Sequence, residues 1–319
     1  FEKKWDDIRL FIVYGMLTDE KFCDAALKFM LLRDTENRYF TAEEYKKLVE
    51  AEQTDADGNI IYLYTTDPVA QYSYIKAAND KGYNVLLLDG QLDNHFVGLL
   101  EQKFEKTRLV RVDSGVIDQL IRKADRKEAD LTPLQRNILT GIFSSQLPTV
   151  EKTNFLVSFE AMAPGDAPIV ITQEEFMRRM KEMAAMNPGM NFYGELPDSY
   201  NLVVNTEHPL IVALRDKAGK ELDSEVNPLA DSIDSDNAAI SEIRKAAGDK
   251  APDAEGEQKI KELEKAVGET RERQNKIVAD YAAGQPVVKQ LIDLALLGNG
   301  LLRGEALNEF IKRSVSLLA

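Results

Sequence analysis

Apolar side chains at three-and-four spacing run through the first fifty residues. Trp5, Ile8, Leu10-Phe11-Ile12 and Tyr14 predict a helix that Gly15 stops. Thr18-Asp19-Glu20 caps a second helix carrying Phe22, Ala25-Ala26 and Phe29-Met30. The capping box Thr41-x-x-Glu44 opens a third with Tyr45, Leu48 and Val49. After the turn signal Asp57-Gly58-Asn59 the period changes. Short, continuously apolar runs at Ile60–Tyr64, Asn84–Leu88 and Leu109–Val112 alternate with helical patterns through Tyr72–Ala78, Leu92–Phe104 and Ile117–Ile121. Strand and helix in alternation predict a parallel sheet with right-handed crossovers, both faces covered.

The charged stretch Arg122–Asp130 marks a boundary, which divides the chain into 1–125 (helical 1–57, α/β/α 58–125) and 126–319. The second part reads as α+β. Leu131–Ser145 is a helix with Pro133 in its first turn, and Asn154–Glu160, Ile169–Thr172 and Tyr200–Asn205 are strands. A second capping box, Thr172-x-x-Glu175, starts a helix that runs to Asn187-Pro188-Gly189, and His208-Pro209 starts a short one to Arg215. Residues 220–285 hold 16 acidic and 10 basic side chains with Tyr281 as the lone aromatic, which predicts a charged insertion, loop first and then a thin-seamed helix over Glu257–Ala283. Two densely apolar helices follow, one from Pro286 and one from Glu305, split by Gly298-Asn299-Gly300.

That last pair carries more apolar surface than a hairpin buries on its own. Val288, Leu291, Leu294, Leu297, Leu307, Phe310 and Ile311 therefore predict self-association through a two-fold helical bundle. A second apolar concentration lies upstream. Five of the eight methionines, Met177, Met180, Met183, Met186 and Met190, fall within fourteen residues, with Phe192 just beyond. At three-residue spacing the row drifts around its helix instead of holding one seam. Unbranched, polarizable methionines suit a surface that accepts many apolar partners, although such a stripe also suits a core.

Composition narrows the chemistry. With 54 acidic against 40 basic residues, net −14, the chain of 319 residues lacks the positive field a nucleic-acid binder needs. A single cysteine, Cys23, and two distant histidines, His95 and His208, leave neither a disulfide nor a metal cluster. Cys23 sits on the apolar side of a helix and His208 precedes Pro209 at a helix start, both structural placements, while His95 reads as a surface residue. No run is long enough for a membrane helix. Neither G-x-G-x-x-G nor G-x-x-x-x-G-K-[ST] occurs, so the parallel sheet brings no phosphate loop, and G-x-S-x-G is absent too. No catalytic and no metal residue is assigned. The chain starts at Phe1 in mid-pattern, without a start methionine or signal peptide, and reads as a piece of a longer cytoplasmic protein.

Several segments in order resemble the ninety-kilodalton heat-shock chaperones, whose bacterial form is called HtpG. YGMLTDEKF at 14–22 is similar to the three-helix segment of that family's middle domain, and IYLYTTDPVAQYSYI (61–75) with NVLLLDGQLDNHF (84–96) to its small α/β/α subdomain. MRRMKEMAAM (177–186) resembles the amphipathic helix of the C-terminal domain. VVNTEHPLI (203–211) and LIDLALLGNGLL…FIKRSVSLL (291–318) resemble its closing strand, helix and dimerisation segments. The resemblance implies the late middle domain (1–125) and the C-terminal dimerisation domain (126–319) of an ATP-dependent chaperone. It implies a homodimer whose partners are unfolded clients, met at Met177, Met180, Met183, Met186, Met190 and Phe192, with a second patch at Asn94, His95 and Phe96. At 94–95 bacterial relatives often carry an acidic residue and a tryptophan instead. ATP and magnesium belong, on this reading, to an upstream domain of the parent, so no cofactor is expected in this chain. The end at Leu317-Leu318-Ala319 lacks the acidic docking peptide of eukaryotic cytosolic members, and 220–285 exceeds the family's usual connection. The alternative is a self-associating scaffold whose α/β unit binds a small ligand.

Overall fold

Gly15 does not end the first helix. In a computed structural model describing residues 1–124, 126–186, 196–247 and 252–318, α1 (Glu2–Thr18) continues past it. A Cβ at Gly15 would come within 2.7 Å of the Phe22 ring, so the glycine makes room for a neighbouring helix. The stop comes at Asp19, whose carboxylate accepts the Phe22 N–H and caps α2 (Glu20–Ala26). This second helix ends before Phe29-Met30, because the chain turns into a hairpin of β1 (Leu31–Arg33) and β2 (Tyr39–Thr41), paired Leu31 with Thr41. Three-residue strands are too short to leave a period in the sequence. The hairpin turn is organised by the buried Asp34 carboxylate, which accepts N–H groups from Glu36 and Arg38 at 3.0 and 2.9 Å. The Thr41/Glu44 capping box forms as predicted and opens α3 (Ala42–Val49).

The predicted parallel sheet is present. β3 (Ile60–Thr65) lies between β4 (Val85–Leu87) and β5 (Thr107–Arg111), parallel to both, with Leu63 opposite Val85 and Tyr62 opposite Leu109. Every residue of β3 is buried. Ile61 and Leu63 face one core with Ile75, Val85 and Val112, while Tyr62 and Tyr64 face the other with Trp5, Tyr45 and Phe96. Helices α4 (Tyr72–Asp80), α5 (Asp93–Lys103) and the short α6 (Ile117–Leu120) connect and follow the strands. Cys23 is buried in the aromatic-rich core, and burial pushes its thiol above the ordinary value.

Tyr62 meets Tyr45 edge-on, ring centroids 4.8 Å apart. Burial first, then the Glu50 charge, raises its hydroxyl to about 12 from 10.0. An acid whose folded value is raised stabilises the fold below its unfolded value and loses that contribution as pH climbs through the folded one. The chain is therefore expected to lose about 2 kcal/mol between pH 10 and 12 from this group. Urea midpoints measured across that window should fall, and Tyr62→Phe should flatten the decline.

Downstream, Thr132 caps α7 (Pro133–Ser145), with Gln135 completing the box. β6 (Thr153–Glu160), β7 (Ile169–Gln173) and β8 (Asp198–Asn205) form a second sheet in the order β6-β8-β7. Between β7 and β8 stands α8 (Glu175–Met186). The predicted capping box at Thr172 does not form there. Thr172 is a buried residue of β7, and the Glu175 carboxylate bonds Tyr64 and Arg179 instead.

His208 begins α9 (Pro209–Glu221), its Nδ1 accepting the Leu210 N–H at 3.2 Å. The first part of the charged insertion is not loop but a 25-residue helix, α10 (Asp223–Ala247). Its buried side chains Val226, Ile233 and Ile240 recur every seven residues, as do Ile260, Val267 and Gln274 on α11 (Ala254–Ala283). Two such seams zip a helical pair with very few apolar residues, which is why composition alone suggests loop. Gly141 of α7 lets α11 approach closely, since a Cβ there would meet Val278 at 2.8 Å. The chain closes with α12 (Pro286–Gly298) and α13 (Gly304–Leu318).

Contacts divide the chain into two compact units. The first comprises Phe1–Lys127, Glu151–Asn154 and Ile171–Asn201, and the second Glu128–Val150, Phe155–Val170 and Leu202–Ala319. The methionine helix α8 thus packs within the first unit, although the sequence places it after the boundary.

Candidate functional site

Helix α8 carries two different faces. At about 100° per residue, Glu175, Arg178, Arg179 and Glu182 fall at i, i+3, i+4 and i+7 and share one side, while Met177 and Met180 lie opposite. The charged side meets the carboxyl-end crest of the parallel sheet. Arg178 forks onto Asp113, just beyond β5, at 2.8 and 2.9 Å. Arg111 forks onto Glu182 at 2.8 and 2.9 Å, with its own side chain only 2% exposed. Arg179 donates to Glu101, to Glu175 and to the Leu109 carbonyl at 3.2, 2.6 and 2.8 Å. The Tyr64 hydroxyl bonds Glu175, and both Arg111 and Arg179 lie over the Tyr64 ring, 5.6 and 5.9 Å from its centroid.

Proton equilibria respond to this crowding. Burial opposes the Arg111 charge, but the Glu182 hydrogen bonds and nearby anions outweigh it and raise the guanidinium above its ordinary value. Burial likewise pushes Glu182 up, and its Arg111 partner more than reverses that, so the carboxyl lies below the usual range. Tyr64 rises to about 12 through burial and the Glu175 charge. All of these groups therefore hold fixed charge states near neutrality and act as anchors rather than as proton carriers.

The crest is also where a doubly wound sheet ordinarily receives a ligand. Here its polar groups are already engaged. Gln71 Oε1 accepts from Thr65 Oγ1 and from the Thr66 and Asp67 N–H groups at 2.6, 3.0 and 3.3 Å, and Asp113 is held by Arg178. Among the described residues, no three His, Cys, Asp or Glu side chains gather as a metal site, and no helix is long and apolar enough to cross a membrane.

The terminal hairpin offers a surface of another kind. Val288, Leu291 and Phe310 are buried within the chain, so they hold α12 and α13 in place. Leu307 is half-buried. Leu294, Leu297 and Ile311 stay 49%, 39% and 51% exposed, joined by Val287 and Val315. The predicted dimerisation residues thus separate into an inner row and an outward row. Beneath them runs a polar seam in which buried Asp293 accepts from Lys289 and Arg313 at 2.8 and 2.5 Å.

No protein-family model matches the chain. Its whole length is, however, 50% identical to the chaperone protein HtpG of Porphyromonas gingivalis, 48% to that of Bacteroides thetaiotaomicron and 46% to that of Bacteroides fragilis. The chain belongs to the HtpG family. It spans about half, 47%, of the length of these curated relatives.

Set on this HtpG-family chain, the remaining predicted positions are unevenly placed. Met177, Met180 and Met183 are half-buried, whereas neighbouring Phe176 is 67% exposed. The Met186 side chain, Met190 and Phe192 lie outside the described residues. In the second patch, His95 is exposed, Asn94 is half-buried and hydrogen-bonds Glu182, and Phe96 is buried in the core. Asn94 therefore touches the charged side of α8, across the helix from Met177 and Met180. Sequence reasoning missed Tyr64, Arg111, Asp113 and the charged face of α8. Its signal was the helical spacing of E-x-x-R-R-x-x-E, a pattern normally read as a solvated face.

Proposed function

We propose that this chain is the middle and C-terminal portion of an ATP-dependent HtpG-type chaperone of the cytoplasm. Residues 1–125 supply the late middle domain and 126–319 the dimerisation domain. The chain pairs with a second copy through the outward row of α12 and α13, and it meets unfolded clients at the methionine side of α8. It neither turns over nucleotide nor engages nucleic acid or membrane. The observation that carries the reading is the pair of separate apolar surfaces on α8 and on the terminal hairpin, in a chain whose relatives bear the name chaperone. ATP and magnesium would serve the parent from elsewhere, since the residues of this chain's sheet crest do not fit a phosphate. Their hydrogen-bond donors are spent on Gln71, and carboxylates stand beside them. That same crowding removes support from a small-ligand scaffold.

A client surface and a core stripe respond differently to Met180→Ser combined with Met183→Ser. Burying a methionine contributes about 1.5–3 kcal/mol, and half-buried side chains have only part of that left to give. The pair should weaken binding of an unfolded substrate by roughly thirtyfold, while the melting temperature shifts by no more than about 3 °C. Aggregation suppression and calorimetric melting, measured in parallel, check this. A large drop in melting with binding intact would return the methionines to the core.

A further inference from the structure

We propose that Glu175, Arg178, Arg179 and Glu182 are positioning residues of the client surface, seating α8 on a sheet crest made of Tyr64, Glu101, Arg111 and Asp113 so that Met177 and Met180 point away from the sheet. This inference rests on the client role proposed for α8.

A helix usually docks by an apolar stripe at i, i+3, i+4 and i+7. On α8 those positions are charged, and each meets a complementary group on the crest. Arginine reaches carboxylate through two paired forks, Arg178 on Asp113 and Arg111 on Glu182, all at 2.8–2.9 Å. Forked pairs fix orientation as well as distance, which an apolar seam does not. Rotating α8 by one residue, about 100°, would break both forks and swing either Met177 or Met180 toward the sheet. Among α8 side chains of described burial, Ala184 alone is fully buried, and it lies on the methionine side, seven residues after Met177 and four after Met180, so the side held by the forks is fixed by charged contacts. Docking also leaves hydrogen-bonding capacity unmet, although Glu175 Oε2 keeps an ion pair with Arg111 Nε at 3.6 Å. Among the described residues, Glu175 Oε2 and Arg178 Nε are buried without a hydrogen-bond partner. The desolvation cost is thus only partly offset, and the forks serve register more than raw stability. A flexible, Met-rich surface gains from such seating, because ordering a loose helix would otherwise be charged against each binding event.

The test uses the full chain with Arg178→Asp, Asp113→Arg and the two combined. Amide exchange over 175–186 is expected to accelerate about tenfold in each single variant. Peptides of β3 and β5 should keep the parent rate. The combined variant, which restores the pair with reversed polarity, should return α8 to within about twofold of the parent. Binding of reduced, carboxymethylated α-lactalbumin should weaken about tenfold in the singles and recover in the swap. Unchanged exchange in the singles overturns the proposal, and so does faster exchange with binding unchanged or tightened. A swap that exchanges as fast as the singles overturns it as well, fast exchange in β3 and β5 then marking a damaged sheet. The client reading fails separately. If Met180→Ser with Met183→Ser leaves lactalbumin binding intact while exchange responds as expected, docking stands and the client role of α8 falls.

Discussion

Leu294→Asp with Ile311→Asp is expected to turn the proposed dimer into a monomer at ten micromolar without unfolding it. Both side chains are about half exposed in the protomer, 49% and 51%, so each has roughly half of its burial still to gain. Full burial contributes about 1.5–3 kcal/mol per side chain, and a two-fold interface uses each residue twice. Four half-burials amount to about 3–6 kcal/mol, and bringing four carboxylates into the seam adds further cost. The dissociation constant should rise at least about a thousandfold. Light scattering against concentration reads the change, and an unchanged melting curve of the isolated protomer shows that the fold survived. The inner row is a control. Val288→Asp places a charge where nothing is exposed and should unfold the hairpin, whatever the oligomeric state. A dimer that persists in the outer-row variant would move the interface elsewhere.

Asp293→Ala destabilises the second unit by about 3 kcal/mol. Asp293 is 1% exposed on α12 and neutralises two cations, Lys289 on its own helix and Arg313 on α13. Removing one partner of a buried pair typically costs about 3–5 kcal/mol because the remaining charges stay desolvated. Lys289 and Arg313 side chains are 29% and 23% exposed, so water relieves part of that cost and the lower end applies. The seam extends through Gln290, which accepts from Arg313 at 2.9 Å and donates to Ser314 at 2.8 Å, so the damage spreads along the α12–α13 contact. Urea unfolding should show the midpoint fall. Replacing the group as a set, Asp293→Leu with Arg313→Met and Lys289→Met, should restore most of the loss, since a well-packed apolar set often equals a buried ion pair. Failure of the set to recover would mean that Asp293 acts through local helix geometry rather than charge.

The two surfaces differ in how legible they were. Apolar density in the last thirty-odd residues predicts a partner, and counting side chains suffices for that expectation. Which of them face outward depends on where α13 lies against α12, and no count supplies that. Val288 and Leu294 are equivalent on paper, yet one is fully buried and the other half exposed. For α8 the methionine row was visible and its seat was not. The Arg178–Asp113 and Arg111–Glu182 partners lie 65 and 71 residues apart, a separation at which spacing says nothing.

Local chemistry lies in the sequence, because caps, turns and strand runs depend on neighbours a few residues away. Thr41 with Glu44, Asp19 before α2, Pro133 in the first turn of α7 and the apolar run Ile60–Tyr64 of β3 each form what their spacing predicts. The sequence also determined the family, since collinear resemblance integrates weak signals over the whole chain. Tertiary structure decided the rest. Gly15 and Gly141 are glycines for the sake of an approaching Phe22 and Val278, the box at Thr172 is overridden by a strand, and α10 is helical because α11 provides the other half of its seam. In each case the deciding contact comes from a different element, and burial against a partner outweighs a local preference worth about 1 kcal/mol.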